Sequence, residues 1–262
     1  MRRKHILSRV FFTSLGTCRA VTVVGVGKIL LFTSGKGIAQ DALTSLGSWN
    51  LVSVGYRPSA RWTLLAEGCL RSLRFYDWFH YYEGKGAVFL RVTETFTTGL
   101  GAGLYHTYRE GGNFRRPMRT AEIRLWPQAA FNQPLGPLSV DHRYRVEVRF
   151  TTQGVRERFR QRFGVSYPFG PQRTGYKMLR ADVHNELFFT SRAPYFERTR
   201  LQIQLGVKPS LASTFQVGYV FQFDYNLQDE IGRNFFMVGY YLMILRKKVK
   251  NPSSSGPEDQ EN

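Results

Sequence analysis

The sequence predicts an all-β protein: an antiparallel, up-and-down transmembrane β-barrel of about twelve strands (range 10–12) with a polar, charged lumen. Three observations carry this. In 140–150 the residues alternate at period two, with Val140, His142, Tyr144, Val146, Val148 and Phe150 on one face and Asp141, Arg143, Arg145, Glu147 and Arg149 on the other. Eleven residues at about 3.4 Å rise and about 45° tilt cover roughly 26 Å, close to the apolar band of an outer-membrane barrel. Aromatics make up 15% of the chain and are mostly Phe and Tyr, which suits strands and interfacial girdles better than helices.

The first thirty-nine residues read as a leader, 1–39. A basic start, Met1-Arg2-Arg3-Lys4-His5, precedes two apolar stretches at 20–26 and 29–32, and Gly37-Ile38-Ala39 offers small residues for signal-peptidase cleavage before Gln40. Lys28 splits the apolar part. Cys18 and Cys69 make neither a disulfide framework nor a metal site. No apolar run reaches the eighteen or so residues that a helical span needs, whereas barrel strands keep mean hydropathy low by alternating.

The barrel domain is placed at 40–246. Strand-like runs separated by turn residues fall at 48–56, 60–74, 79–92, 96–108, 118–131, 138–151, 155–167, 177–189, 198–208, 213–224 and 234–245. These runs are eleven, but bacterial single-chain barrels are even-numbered, so a twelfth strand is expected near the N-terminus. Loop lengths point the same way. The longer connections, 109–117, 190–197 and 225–233, follow even-numbered runs, and one missing early strand would put them on the extracellular side. The alternation recurs: Glu122 and Arg124 oppose Ile123 and Leu125; Arg156, Arg158, Arg160 and Arg162 oppose Phe159 and Phe163; Arg198 and Arg200 oppose Leu201, Ile203 and Leu205. Glu157 and Gln161 break the apolar face and are expected near the bilayer edge. A polar tail, 247–262, follows and reads as disordered.

The net charge of +18 would ordinarily suggest nucleic acid or an anionic surface. Here the Arg lies on one face of alternating strands, without the basic helices or stacking loops of nucleic-acid modules, so no nucleic-acid partner is expected. The candidate lumen set is Glu122, Arg124, Arg143, Arg145, Glu147, Arg149, Arg158, Arg160, Arg162, Glu186, Arg198 and Arg200. On strands about 4.8 Å apart these side chains can form a ladder of bidentate ion pairs, either a plug that rigidifies a narrow bore or a cationic lining that selects anions. The candidate lipid-facing set is Val140, Tyr144, Val146, Val148, Phe150, Phe159, Phe163, Leu201, Ile203 and Leu205. No catalytic role, metal or cofactor is expected. Ser139 and His142 fall on opposite faces of one strand, and no Cys/His cluster, phosphate loop or nucleophile elbow occurs.

Glu122-Ile123-Arg124-Leu125-Trp126-Pro127-Gln128, His142-Arg143-Tyr144-Arg145-Val146-Glu147, Arg158-Phe159-Arg160, Asn185-Glu186-Leu187-Phe188-Phe189 and Ala193-Pro194-Tyr195-Phe196-Glu197-Arg198 together resemble the domain of unknown function 2490 family. The resemblance runs over about 49–245. It implies an outer-membrane barrel of a Gram-negative bacterium of the Bacteroidetes type, with outer-membrane lipid, lipopolysaccharide and the barrel-assembly machinery as partners, and it implies no activity. Thr199 stands where the family usually has Asn, and the chain runs past its last strand. The rival reading is a soluble basic barrel or sandwich with Val146 and Phe150 in its core and the Arg face outside, binding anions or nucleic acid.

Overall fold

A computed structural model describes residues 46–173, 175–225 and 230–246. The leader, Cys18, Asp229 and the tail lie outside the described residues. Eleven strands follow one another: β1 (Leu46–Arg57), β2 (Trp62–Arg74), β3 (Asp77–Arg91), β4 (Phe96–Tyr108), β5 (Met118–Leu135), β6 (Leu138–Thr151), β7 (Gly154–Arg173), β8 (Tyr176–Thr190), β9 (Phe196–Val207), β10 (Ser213–Asp224) and β11 (Ile231–Leu245). Each pairs antiparallel with the next, and β1 pairs with β11 to close the barrel.

The closing seam corrects the expected topology. β1 and β11 run parallel, Leu46 beside Asn234 through Arg57 beside Leu245. The reason is parity. A meander of eleven strands leaves its first and last strands pointing the same way, so closure has to be parallel. The seam leaves no gap for a twelfth strand between β1 and β11, and the strands are therefore not all antiparallel. Parity also accounts for the loops without a missing strand. The connections 109–117, 191–195 and 225–230 share the end where β1 begins, called the loop end here; the opposite end, with connections such as 136–137 and 174–175, is the turn end.

Two strands run further than their prolines suggested. β5 continues to Leu135 through Pro134, and β7 to Arg173 through Pro168. Pairing of β4 with β5 stops at Phe96 and Phe131, and pairing of β6 with β7 stops at Ser139 and Ser166. Each proline thus has a strand on one side only, where its missing N–H costs no ladder bond. Pro127 lies deeper, and the β5–β6 pairing skips Trp126 and Pro127 between Leu125–Val148 and Gln128–Arg145 without a change of register.

Large apolar side chains face outward on every strand. Val52, Leu64, Val88, Leu100, Leu125, Val146, Phe163, Val183, Ile203, Val217 and Ile244, one from each strand in order, are 41–68% exposed. Ring pairs gather towards both ends, Phe96 with Phe131 and Phe215 with Tyr240 at the turn end, Phe196 with Tyr225 at the loop end. Glu157 sits near the 152–153 turn, but Gln161 pairs with Tyr144 at the middle of β6, away from the edge where it was expected.

Inside, β4 lowers its wall so that a neighbour can lie flat. A Cβ on Gly101 would meet the Trp126 ring at 2.4 Å, whereas one on Gly68 would meet nothing within 4 Å. Gly101→Ala should therefore cost about 1–3 kcal/mol by overpacking, while Gly68→Ala should be neutral or gain up to about 1 kcal/mol from reduced unfolded-state entropy. Urea unfolding midpoints of the two variants check this.

Candidate functional site

The interior is built by the polar parity of β2 to β10. Among the described residues a cavity of about 640 Å³ at the turn end and one of about 810 Å³ at the loop end open into it, both lined by Lys85, Arg160 and Arg200, and a further one of about 430 Å³ adjoins the first at Ser139, Ser166 and Arg180. Between the first two lies a waist of ion pairs and rings.

Glu147, fully buried, accepts from Arg158 Nε at 2.9 Å and from Arg160 at 2.5 Å, with Arg145 at 3.6 Å. Glu186 accepts from Arg143 at 2.6 Å, from Arg160 at 2.8 and 2.9 Å, and from Arg200 at 3.3 Å. Arg160 therefore bridges two carboxylates. These acids answer a problem of register. Across β6 and β7, Arg145 faces Arg160 and Arg143 faces Arg162, and like charges directly opposite repel unless a carboxylate lies between them. The Phe188 ring fills the middle, with the guanidiniums of Arg158, Arg160, Arg198 and Arg200 at 4.6–5.6 Å from its centroid. Arg71 is clamped between Trp49 and Tyr81 at 3.6 and 4.1 Å, Arg124 lies 3.7 Å over Tyr105, and Arg145 lies 4.8 Å over Trp126.

The loop-end chamber is lined largely by paired charges, with Tyr81, Tyr105 and Phe188 among them. Glu122 accepts from Arg124 at 2.8 Å and from Arg149 at 2.8 and 2.9 Å. Glu197 lies 3.4 Å from Arg158 and 3.6 Å from Arg149; Asp224 pairs with Arg198 and, at 3.5 Å, with Arg233. At the turn end Asp141 accepts from Arg162 at 3.1 Å, and Asp182 accepts from Ser166 and Arg180 at 2.5 Å each.

Every residue of the sequence-derived lumen set thus points into the barrel, and all but Arg162, which pairs with Asp141 apart from the rest, are joined through shared carboxylates and Gln222. The set read as lipid-facing lies outside: Val146, Phe150, Phe159, Phe163, Ile203 and Leu205 are 39–54% exposed, and Val140, Tyr144, Val148 and Leu201 are partly so. The inverse arrangement, apolar core within and Arg face without, is not the one adopted.

Sequence reading missed much of the acid. Glu67, Glu83, Glu197 and Asp224 also face inward and, with Asp141 and Asp182 on the parity already read as polar, offset the apparent excess of Arg. Glu83 takes Lys85 at 2.7 Å and Arg71 at 3.6 Å, and also accepts from Tyr81; Glu67 pairs with Lys85. The signal was present. Glu67, Cys69 and Arg71 share parity on β2, as do Tyr81, Glu83 and Lys85 on β3, but neither strand was read for its faces. Trp49, Trp126 and Phe188 were missed for another reason, since they are apolar residues on the polar parity.

No arrangement for nucleophilic catalysis forms around Ser139, which donates to Asn132 at 2.9 Å, while His142 packs outside on Phe163 at 5.1 Å. Among the described residues no group of His, Cys, Asp or Glu is placed to hold a metal ion. No curated protein matches the chain. One family model does, the DUF2490 family, described as protein of unknown function, over residues 46–231, which run from the start of β1 to the first residue of β11. The chain belongs to the DUF2490 family.

Proposed function

We propose that this protein is a non-enzymatic barrel of a bacterial outer membrane, closed at its waist by ion pairs, serving the envelope as a structural or binding protein. The observation that carries the proposal is the outward apolar side chain on every strand set against the charged interior. Soluble monomers rarely expose contiguous apolar patches beyond a few hundred Å², and a belt around a whole barrel needs lipid to cover it. The shortest strands, at twelve residues, span roughly 29 Å at about 3.4 Å rise and about 45° tilt, enough for the bilayer core. Export by a leader at 1–39, insertion by the barrel-assembly machinery and contact with lipopolysaccharide belong to the same reading.

A second reading is a narrow, anion-leaning channel. It is favoured by the turn-end wall, where Arg143, Arg145, Arg160 and Arg162 face one another in pairs. Fractionation of cells that express the full chain, then gel mobility with and without boiling, tests the first reading. An outer-membrane band whose mobility changes on heating is expected; a soluble, unmodified band would overturn it. Bilayer recordings then separate the two. A closed waist gives little conductance, and steady currents that favour chloride over potassium would select the channel.

A further inference from the structure

The two chambers differ in how their charge is met. At the loop end, Glu122, Glu197 and Asp224 each hold two guanidiniums within 3.6 Å. At the turn end Glu186 is shared by Arg143, Arg160 and Arg200, and Asp141 by Arg162 and His184. Arg145 donates to the neutral amide oxygen of Gln128 at 2.6 and 3.0 Å, and its one ion pair, with Glu147, is long at 3.6 Å. The Nε atoms of Arg160 and Arg162 are buried with no hydrogen-bond partner, as are those of Arg200, which lines both chambers, and of Arg71 at the loop end, where the guanidinium is covered by Trp49 and Tyr81. Buried donors of that kind leave a wall that an incoming oxyanion would complete.

The wall across the bore is of another kind. The same cavity is lined by Leu51 on β1, Leu65 on β2, and Ala87 and Phe89 on β3, with the ion pair of Glu67 and Lys85 as the charge these strands add. In a ring of eleven strands β2 lies on the far side from β7, so an apolar wall faces the cationic one. In the other chamber the rings of Tyr81, Tyr105 and Phe188 lie under the guanidiniums of Arg71, Arg124 and Arg160 and do not stand as a separate wall. A charged plug needs no apolar wall, and a simple anion gains nothing from one.

We infer that the turn-end chamber binds a single-chain anionic amphiphile, a medium-chain carboxylate, with its head on Arg143, Arg145 and Arg162 and its chain along Leu51, Leu65 and Phe89. Its volume of about 640 Å³ lies within the usual range for small-molecule sites. The inference rests on the barrel reading above and gives its binding role a ligand class. Affinity should climb about fourfold per added methylene while the chain still finds wall, since each buried methylene contributes about 0.8 kcal/mol.

The test uses full-length protein in nanodiscs of zwitterionic lipid, with Trp62→Phe and Trp78→Phe introduced. Trp62 is 46% exposed on the outside and Trp78 lies at the loop end, so the remaining Trp49 and Trp126 report on the interior. Bromodecanoate is the probe. Saturable quenching is expected, displaced by decanoate and not by decanol or acetate at equal concentration, and weakened about tenfold or more in Arg143→Gln and in Leu65→Asn. Arg143→Gln leaves Glu186 its contacts with Arg160 and Arg200, and heat-modifiable mobility verifies that each variant is folded. Acetate competing as well as decanoate would reduce the site to a charge trap, and decanol competing as well would reduce it to a greasy slot. Unsaturable quenching indifferent to Arg143→Gln would mean partition into lipid. Each of these overturns the amphiphile site, as does absence of quenching. If the band is still heat-modifiable, the barrel reading stands when the site falls; loss of heat modification from the parent protein overturns the barrel reading itself.

Discussion

Glu147→Gln should lower the unfolding free energy by about 3–5 kcal/mol, the cost of leaving buried guanidiniums without their carboxylate. Glu147 is the most enclosed acid of the waist, fully buried and held by Arg158 and Arg160 at 2.5 Å each. Removing its charge leaves Arg158 only Glu197 at 3.4 Å and restores the repulsion between Arg145 and Arg160 across β6 and β7. The double variant Glu147→Gln/Arg158→Met should recover part of the loss, because replacing both members of a buried pair is gentler than removing one. Glu157→Gln, on the exposed outer face, is the control and should stay within about 0.5 kcal/mol. Urea unfolding of the folded barrel reads all three. A midpoint for Glu147→Gln equal to that of Glu157→Gln would mean that the ion pairs merely coexist with a barrel held by its ladders. Conductance adds an independent readout, since a waist that loses its central carboxylate should leak.

Strand identity was written in the local pattern because a barrel strand with lipid-type and lumen-type faces must alternate, and side-chain parity has no other source. The eleven runs therefore match β1 to β11 closely, and the Arg and Glu residues of the candidate lumen set, on β5 to β9, fall inside. What parity could not supply was closure. Whether β1 meets β11 directly or through another strand depends on pairing across the whole chain, and no residue of β1 or β11 encodes its partner locally. Assuming an even count imposed a rule where the sequence had listed eleven runs. The balance of charge failed for a nearer reason. Arg is conspicuous on β6 and β7, whereas the acids left out of the count are scattered singly over β2, β3, β9 and β10, where they meet Lys85, Arg149, Arg158, Arg198 and Arg233. Proline misled at Pro134 and Pro168, since a breaker in a two-sided strand is harmless in a hairpin that overhangs its neighbour.

Val146→Arg decides what covers the outside of the barrel. Val146 is 46% exposed near the middle of β6 and pairs with Phe159, itself 39% exposed. In a bilayer an Arg at that depth should cost about 2–4 kcal/mol, because the guanidinium has to reach the interface or draw water inward. Val155→Arg is the matched variant. Val155 is 48% exposed but sits at the start of β7 beside the 152–153 turn, where the cost should be about 0–1 kcal/mol. In water neither change touches a core contact, so in a soluble barrel both should stay within about 0.5 kcal/mol. The comparison therefore depends on the difference between two similar substitutions, measured by urea unfolding from lipid vesicles. A gap of about 2 kcal/mol or more places a low-dielectric band around the waist of the barrel, at the height where Glu147 and Glu186 hold the interior. Equal, small costs would remove the lipid, and with it the reason for the apolar ring. Equal, large costs would point to packing against another protein, since a partner's surface need not grade with depth as a bilayer does.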